Sequence, residues 1–475
     1  MPSFKNQIFC LIVSIFIIFV HLPVIAAPAT ISLDSSTQIS YILLDPKTNV
    51  ILDKQNPNKA LIPASTTKLL TVGWALRRLG RNYRFKTQLL ESNQTITLVG
   101  GEDPDLRIPD LVSLVNDLHR LDIKPTKFLY VTDATIDKAQ IDVSMSQEAA
   151  YNPSLSSLSL ESNQLSLFWR PNNNELFSNG KKQIHAYFVP SLPNLNITLL
   201  TEHSTSNDER DLLYDNVNNV WKLRHPKQST GVRPIPAKDA ALFTALTFRE
   251  LAKVKGINLP EPIPTSVKTG NQISVHLSRP LSEIAQIVLA KSDNTMTELI
   301  LLHVAKSISN HSVDLKTAAT MLQESYQASI SNVNWSDFHL INGSGLTTEN
   351  RISSEQLAAA LIFNDNKIKD GIENFLPMSG ATYGLLNRLN KPNQAFRVIA
   401  KTGGIHYSSS LTGFLYTQSG RRLAFAIIIT DFAKRNQLDQ ATDRYSQKQH
   451  YSAYQWTQKS IDAIDEIVTN WLDTF

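Results

Sequence analysis

Ser65 and Lys68 stand three positions apart in the run Ser65-Thr66-Thr67-Lys68. On a helix that spacing is one turn, so a hydroxyl and an amine share a face. A serine hydroxyl becomes a nucleophile at neutral pH only when a neighbouring base takes its proton. A lysine can be that base once burial or a second cation lowers its proton affinity. Pro63-Ala64 precedes the pair and opens the helix, so Ser65 lies near an N-terminus. There, free N–H groups and the helix dipole favour developing negative charge. The chemistry this implies is acyl transfer through a serine ester. The same spacing recurs at Ser178-Asn179-Gly180-Lys181, in a stretch that reads as a turn.

Two later motifs separate the first pair from the second. Ser292-Asp293-Asn294 is the only Ser-x-Asn in the chain. It falls between two predicted helices, where a loop can aim both side chains into a cleft. Lys-Thr-Gly occurs twice, as Lys268-Thr269-Gly270 and as Lys401-Thr402-Gly403-Gly404. The first follows the proline-rich stretch Pro260 to Pro264 and reads as a connecting segment. The second follows the apolar run Phe396 to Ala400 and is expected at an exposed strand end, where small residues let a substrate backbone approach.

Elements of a definite kind must hold these groups. Gln38 to Leu44 and Val50 to Lys54 read as a hairpin closed by the turn Asp45 to Asn49. The helix after Pro63 carries the stripe Leu69, Val72, Leu76 and Leu79, with Arg77 and Arg78 in its last turn and Gly80 as its cap. From about Asn82 to Gln272 short strands dominate: Thr95 to Val99, Phe128 to Thr132, Gln164 to Trp169, Gln183 to Val189 and Ile197 to Leu200. Asn172 to Asn174 and Ser204 to Glu209 read as loops, and Pro109 to Leu121 and Ala237 to Val254 as helices. After Gln272 the pattern turns helical, over Leu281 to Ala290, Thr295 to Ser307, Leu315 to Ile330 and Ser354 to Phe363. Strands Phe396 to Lys401, Ser410 to Thr417 and Arg422 to Thr430 follow. A closing helix places Ile461, Ile464, Val468 and Trp471 on one face, a stripe that reads as core.

The start of the chain reads as an export signal. Lys5 supplies a positive charge, and Ile8 to Val20 is apolar except for Ser14. A bilayer-spanning helix needs roughly 20 apolar residues, so this run is short for an anchor and suits a signal. Cleavage is expected after Ala26, with an uncleaved anchor as the alternative. Cys10, the only cysteine, lies inside that segment. The mature chain then has no disulfide, cysteine cluster or thiol nucleophile. A net charge of +4 over 475 residues is close to neutral and implies no nucleic-acid partner. No second long apolar run follows, so no stable membrane insertion is expected. No His-Glu-x-x-His signature is present, which argues against a zincin.

Together, Ser65-x-x-Lys68, Ser292-x-Asn294 and Lys401-Thr402-Gly403 resemble the penicillin-interacting serine enzymes, which carry S-x-x-K, S-x-N and K-T-G in that order. The interval from Lys68 to Ser292 is far longer than a compact β-lactamase needs. It is similar to the DacB-type D-Ala-D-Ala carboxypeptidase/endopeptidase family (peptidase family S13, class C low-molecular-mass penicillin-binding proteins). Val99 to Pro104 resembles the family's G-G-G-D-P stretch, Leu155 to Asn163 its S-A-L-S segment, and Asn342 to Thr347 its D-G-S-G-L-S. His276 to Leu281 leads into Ser292 as in the family.

This resemblance implies an α/β (α+β) fold. A transpeptidase-like/β-lactamase-like domain, with an antiparallel sheet flanked by helices, is interrupted by a large, mostly β insertion. The expected division is a signal over 1–26, a discontinuous peptidase domain over 27–81 and 273–475, and the insertion over 82–272. It also implies roles: Ser65 attacks the carbonyl of the penultimate D-Ala, Lys68 takes the proton, and Ser292 relays one to the leaving group. Asn294 holds the substrate amide, and Lys401, with Thr402, Gly403 and Gly404, lines the substrate strand. Lys401 adds positive potential that depresses Lys68 and attracts the terminal carboxylate. The N–H groups of Ser65 and Gly404 form an oxyanion hole. No metal or organic cofactor is implied. The implied partners are peptidoglycan stem peptides, with β-lactam antibiotics as covalent inhibitors, in the periplasm or cell-wall space.

Three departures stand out. Gly404 replaces the family's Ser or Thr, Asn342 replaces Asp, and Ile136 to Pro153 lacks the family's aromatic-rich pattern. Ser344, between two glycines, reads as a tight turn, and His406 as a loop residue. Competing readings are a serine β-lactamase, a non-catalytic wall-binding scaffold on the same fold, and an esterase.

Overall fold

A computed structural model describes residues 33–176, 182–193, 195–200, 210–224 and 230–475. The expected leader, Ser178 to Lys181 and Ser204 to Glu209 lie outside the described residues. The chain opens with strands β1 (Gln38–Leu44) and β2 (Ile51–Gln55), a one-turn 3₁₀ segment (Ala64–Thr67) and helix α1 (Lys68–Leu79). A long middle region follows. It holds β3 (Lys86–Ser92), β4 (Thr95–Val99), α2 (Ile108–Arg120), β5 (Lys127–Val131), β6 (Gln164–Leu176), β7 (Lys182–Val189), β8 (Asn196–Leu200), β9 (Leu212–Asp215), β10 (Val220–Arg224), β11 (Gly231–Pro236), α3 (Ala240–Val254), β12 (Pro262–Thr265) and β13 (Asn271–Leu277). The last part holds α4 (Leu281–Lys291), α5 (Asn294–Ser309), α6 (Leu315–Ser329), α7 (Ser354–Lys367), β14 (Val398–Ile405), β15 (Ser408–Tyr416), β16 (Arg422–Thr430), α8 (Phe432–Gln440) and α9 (Gln447–Thr474).

The two ends of the chain build one sheet. Its order is β14-β15-β16-β1-β2, antiparallel throughout, with Gln38 opposite Thr430 and Lys401 opposite Thr412. Strand β16 is buried along almost its whole length, because both sheet faces are covered. Ala424, Ala426 and Ile428 pack with α1 and the helices around it. Phe425, Ile427 and Ile429 pack with Trp471, Ile464 and Val468 of α9, so three residues of the predicted stripe are core, while Ile461 is half-buried outside it. Among the described residues, no helix is long and apolar enough to cross a membrane.

Helix α1 is buried from Lys68 to Leu76, beyond the one stripe its periodicity shows. Burying each large apolar side chain there contributes roughly 1.5–3 kcal/mol. Leu69, Leu70, Val72 and Trp74 thus fix the helix, and with it Lys68, against movement. The middle region has its own apolar cluster, including Leu89, Leu98, Phe128, Phe248 and Trp221. Its largest sheet runs β12-β5-β4-β3-β13.

Several sequence expectations are corrected. Asn172 to Asn174 lie within β6, not in a loop. The stretch after Gln272 begins with a strand, not a helix, since β13 pairs with β3 through a bulged register. Lys401 to Gly404 stand inside β14, not at its end. Pairing with β15 carries the strand on to Ile405, so the motif is held along its length.

Candidate active site

The turn bearing Ser65 is pinned from several sides. Ala64 takes a left-handed backbone at φ 48°, a conformation that costs about 1–2 kcal/mol for a non-glycine residue. Hydrogen bonds hold it there. The Thr66 hydroxyl donates to Pro63 O at 2.7 Å, and Thr67 donates to Ala64 O at 2.8 Å. From β15, the Ser410 hydroxyl donates to Pro63 O at 2.6 Å and Ser408 to Ile62 O at 2.6 Å. Gly345 closes on the same turn. A Cβ there, already disfavoured at φ +76°, would fall 1.8 Å from Ala64 O.

Lys68 is fully buried, and its Nζ donates to Ser65 Oγ at 3.0 Å, Asn294 Oδ1 at 2.7 Å and Ser344 O at 2.7 Å. Burial pushes the amine down to about 7, opposed by the carboxylates of Glu298 and Asp293. The sequence reading allowed burial or a second cation as the cause, with Lys401 as that cation. Burial is the main cause.

Ser292 caps α4 in a left-handed conformation, φ 59° and ψ 36°. Its Oγ accepts from Lys401 Nζ at 3.0 Å. A second bond runs from Lys401 Nζ to Thr402 O at 2.7 Å. Lys401 is also buried, and its amine falls well below the lysine range through burial and then the Lys68 charge. It is therefore not the open cation expected at a strand end. Gly403 packs under the serine turn, where a Cβ would meet Ser410 Oγ at 2.2 Å, Pro63 O at 2.7 Å and Ser65 N at 3.0 Å. Gly404 is exposed, with no atom within 4 Å of a Cβ.

Asn294 opens α5 and bridges two regions: its Oδ1 accepts from Lys68, and its Nδ2 donates to Tyr151 O at 2.9 Å. Asp293 caps α5 through Met296 N at 2.8 Å and accepts from Ser162 Oγ at 2.8 Å. Direct hydrogen bonds thus join Ser65, Lys68 and Asn294 into one group and Ser292 and Lys401 into a second. Lys268 to Gly270 lie away from them in the bend between β12 and β13, with Gly270 at φ +109° against Glu91.

Sequence reasoning missed Glu298. It follows Asn294 by one helical turn, so it shares the face aimed at Lys68. The residue is fully buried and accepts from Gly343 N at 3.0 Å and Ser344 N at 2.7 Å. An acid inside the apolar run of α5 is the signal that could have found it. Asn342 also gains a reason. Its Oδ1 accepts from Gly345 N at 3.0 Å while its Nδ2 donates to Ile141 O at 3.4 Å, a bond a carboxylate could not donate. His406 sits in the β14–β15 turn, edge-on to His450 at 5.4 Å, and burial pushes it down to about 4.

A serine hydroxyl hydrogen-bonded to a buried amine, with a second hydroxyl–amine pair close enough for the two amines to repel, suits serine acyl transfer. Residues 33–449 match the family model described as the D-Ala-D-Ala carboxypeptidase 3 (S13) family. The chain belongs to this family. The D-alanyl-D-alanine carboxypeptidase DacB of Haemophilus influenzae is 21% identical over 432 residues, 85% of this chain and 88% of that protein. A carboxypeptidase of Mycobacterium tuberculosis is 25% identical over 408 residues, 80% of this chain and 74% of that one. In fold, the chain is similar to the crystal structure of penicillin binding protein 4 (dacB) from Haemophilus influenzae. The TM-score is 0.72 at 19% identity, covering 87% of this chain and 98% of that chain. Within this S13 chain, Gly404 leaves open the space that a Ser or Thr side chain would fill.

Proposed function

We propose that the protein is a penicillin-binding serine D,D-peptidase that cleaves the D-Ala-D-Ala bond of peptidoglycan stem peptides through a Ser65 acyl-enzyme. The observation that carries this reading is Lys68. It is buried, one hydrogen bond from Ser65 Oγ, and held near the neutral range. In its uncharged form Lys68 takes the Ser65 proton as the Oγ–carbon bond forms. The N–H groups of Ser65 and Gly404 stabilise the oxyanion; losing one such donor costs about 100- to 1,000-fold in rate. Ser292, bonded to Lys401, passes a proton to the departing amine as the carbon–nitrogen bond breaks. Water then releases the acyl group and restores Ser65. Asn294 holds the substrate amide, and Thr402, Gly403 and Gly404 line the substrate strand.

The reading extends to place and partners. Residues 1–26 act as a removable export signal, and the mature enzyme works in the periplasm or cell-wall space. β-Lactams acylate the same serine; a solved structure of the Haemophilus influenzae relative is complexed with a β-lactam. The middle region is an insertion in a discontinuous peptidase domain. The pairing of β13 with β3 supports placing its far junction at Leu277, a few residues beyond 272.

Intact mass spectrometry of residues 27–475 with benzylpenicillin tests the acyl-enzyme. The reading predicts an adduct of one penicillin that persists on the parent and is missing from Ser65→Ala. Rapid loss of the adduct with penicillin hydrolysis would instead favour a β-lactamase. A parent that neither binds nor hydrolyses penicillin would favour a scaffold.

A further inference from the structure

Helix α5 sends two side chains toward Lys68, and only Asn294 has a place in the reaction above. Glu298 stands one turn on, fully buried. Its two oxygens take different backbone donors, Oε2 from Gly343 N at 3.0 Å and Oε1 from Ser344 N at 2.7 Å. A carboxyl that accepts through both oxygens is favoured as the carboxylate, since a protonated one would present a hydroxyl to an N–H. The peptides it grips adjoin the one Lys68 uses: Ser344 O, on the Ser344–Gly345 peptide, accepts from Lys68 Nζ at 2.7 Å. Thr71 of α1 completes the clamp by donating to Gly343 O at 2.8 Å. No spare room exists, because a Cβ on Gly343 would lie 2.7 Å from Thr71 Oγ1 and 3.3 Å from Glu298 Oε2.

We propose that Glu298 is a positioning residue for the Ser65–Lys68 pair. It holds the backbone N–H groups of Gly343 and Ser344, and so the Ser344 carbonyl that aims the Lys68 amine, and it supplies the counter-charge that sets where Lys68 gives up its proton. This rests on the acyl-enzyme reading. The charged groups facing Lys68 are Glu298 and Asp293 from α5 and Lys401 from β14. Those acting on Glu298 are the Lys68 charge and the Ser344 hydroxyl, besides the two N–H groups. Burial pushes Glu298 up and Lys68 down, so each charge depends on the other. Asp293 has other partners, capping α5 and accepting from Ser162, which leaves Glu298 as the acid built around the lysine.

The sign follows directly. A carboxylate beside Lys68 favours its ammonium form, whereas acylation needs the neutral amine. Removing the charge in Glu298→Gln therefore moves the acid limb of the benzylpenicillin acylation profile to lower pH, on the order of one pH unit. The plateau rate also falls, because an amide cannot accept from both N–H groups. Glu298→Asp keeps the charge on a shorter arm, so it should keep the parental midpoint with a lowered plateau. A Glu298→Gln midpoint equal to the parent's would overturn the proposal, even with a lower rate. Should that variant not fold, Glu298→Asp decides: parental midpoint and parental plateau together would sink the idea. The parent profile is the control. A parent that forms no adduct refutes the acyl-enzyme reading instead.

Discussion

At the scale of single residues, the proposed acyl transfer requires a lysine amine that is uncharged near neutral pH yet can still accept a proton. Burial supplies this for Lys68, and the nearby carboxylates keep the shift from going further. Below about 7 the amine is charged and cannot take the Ser65 proton; above it, the base is available. Acylation by benzylpenicillin should therefore rise through about pH 7 and then level off, measured as the second-order rate against pH. A rise that continues toward pH 10 would mean Lys68 keeps an ordinary lysine affinity. The motifs that carry Ser65, Lys68, Ser292 and Lys401 were legible because each has a fixed short spacing, but the meeting of Ser292 with Lys401 was not, since 109 positions separate them. Glu298 was not, since its role depends on a loop brought in from residues 343–344, far along the chain.

At the scale of elements, site geometry depends on how closely β14 approaches the serine turn. Gly403 is the contact and Gly404 the opening. Gly403→Ala should push strand and turn apart, lowering acylation at least 10-fold with a fall in melting temperature. Gly404→Ser meets nothing within 4 Å, so folding should be unchanged and the KM for a D-Ala-terminated peptide should fall. Parallel melting curves and peptide kinetics check both. Equal effects of the two substitutions would contradict the packing described. Strands β1, β4 and β16 and helices α3 to α7 were legible from their apolar runs, and four of these helices also begin at a capping side chain. Asp239, Asp293, Asp314 and Ser353 each accept from the N–H three residues on in the helix they cap. Strands β3, β9, β10, β11, β12 and β13 were missed, since short half-buried strands carry little period-2 signal and are defined by their partners. The place of Lys401 inside β14 was missed for the same reason: pairing with β15, not local composition, extends the strand.

At the scale of the whole molecule, the middle region braces the helices that carry the candidate site. Glu102, buried just before α2, accepts from Lys306 Nζ at 2.6 Å and meets His303 Nδ1 at 3.0 Å, both on α5. Asp105 takes two bonds from Arg279, at 2.6 and 2.5 Å, just ahead of α4. Ser162 and Tyr151 reach Asp293 and Asn294 themselves. The helices that present Ser292, Asn294 and Glu298 are thus held from the middle region as well as from α1. No sequence pattern marks these contacts, because the partners lie far apart in the chain and become neighbours only on folding. Ile136 and Ile141, in a segment poor in aromatic residues, add apolar contacts by entering the core around α1.

The most direct test of the account is D-alanine release from a stem pentapeptide ending in D-Ala-D-Ala, with residues 27–475 and Ser65→Ala side by side. The account predicts one D-alanine released per peptide by the parent and none above background by the variant. Equal release by both would contradict it, because the acyl-enzyme would then not form at Ser65.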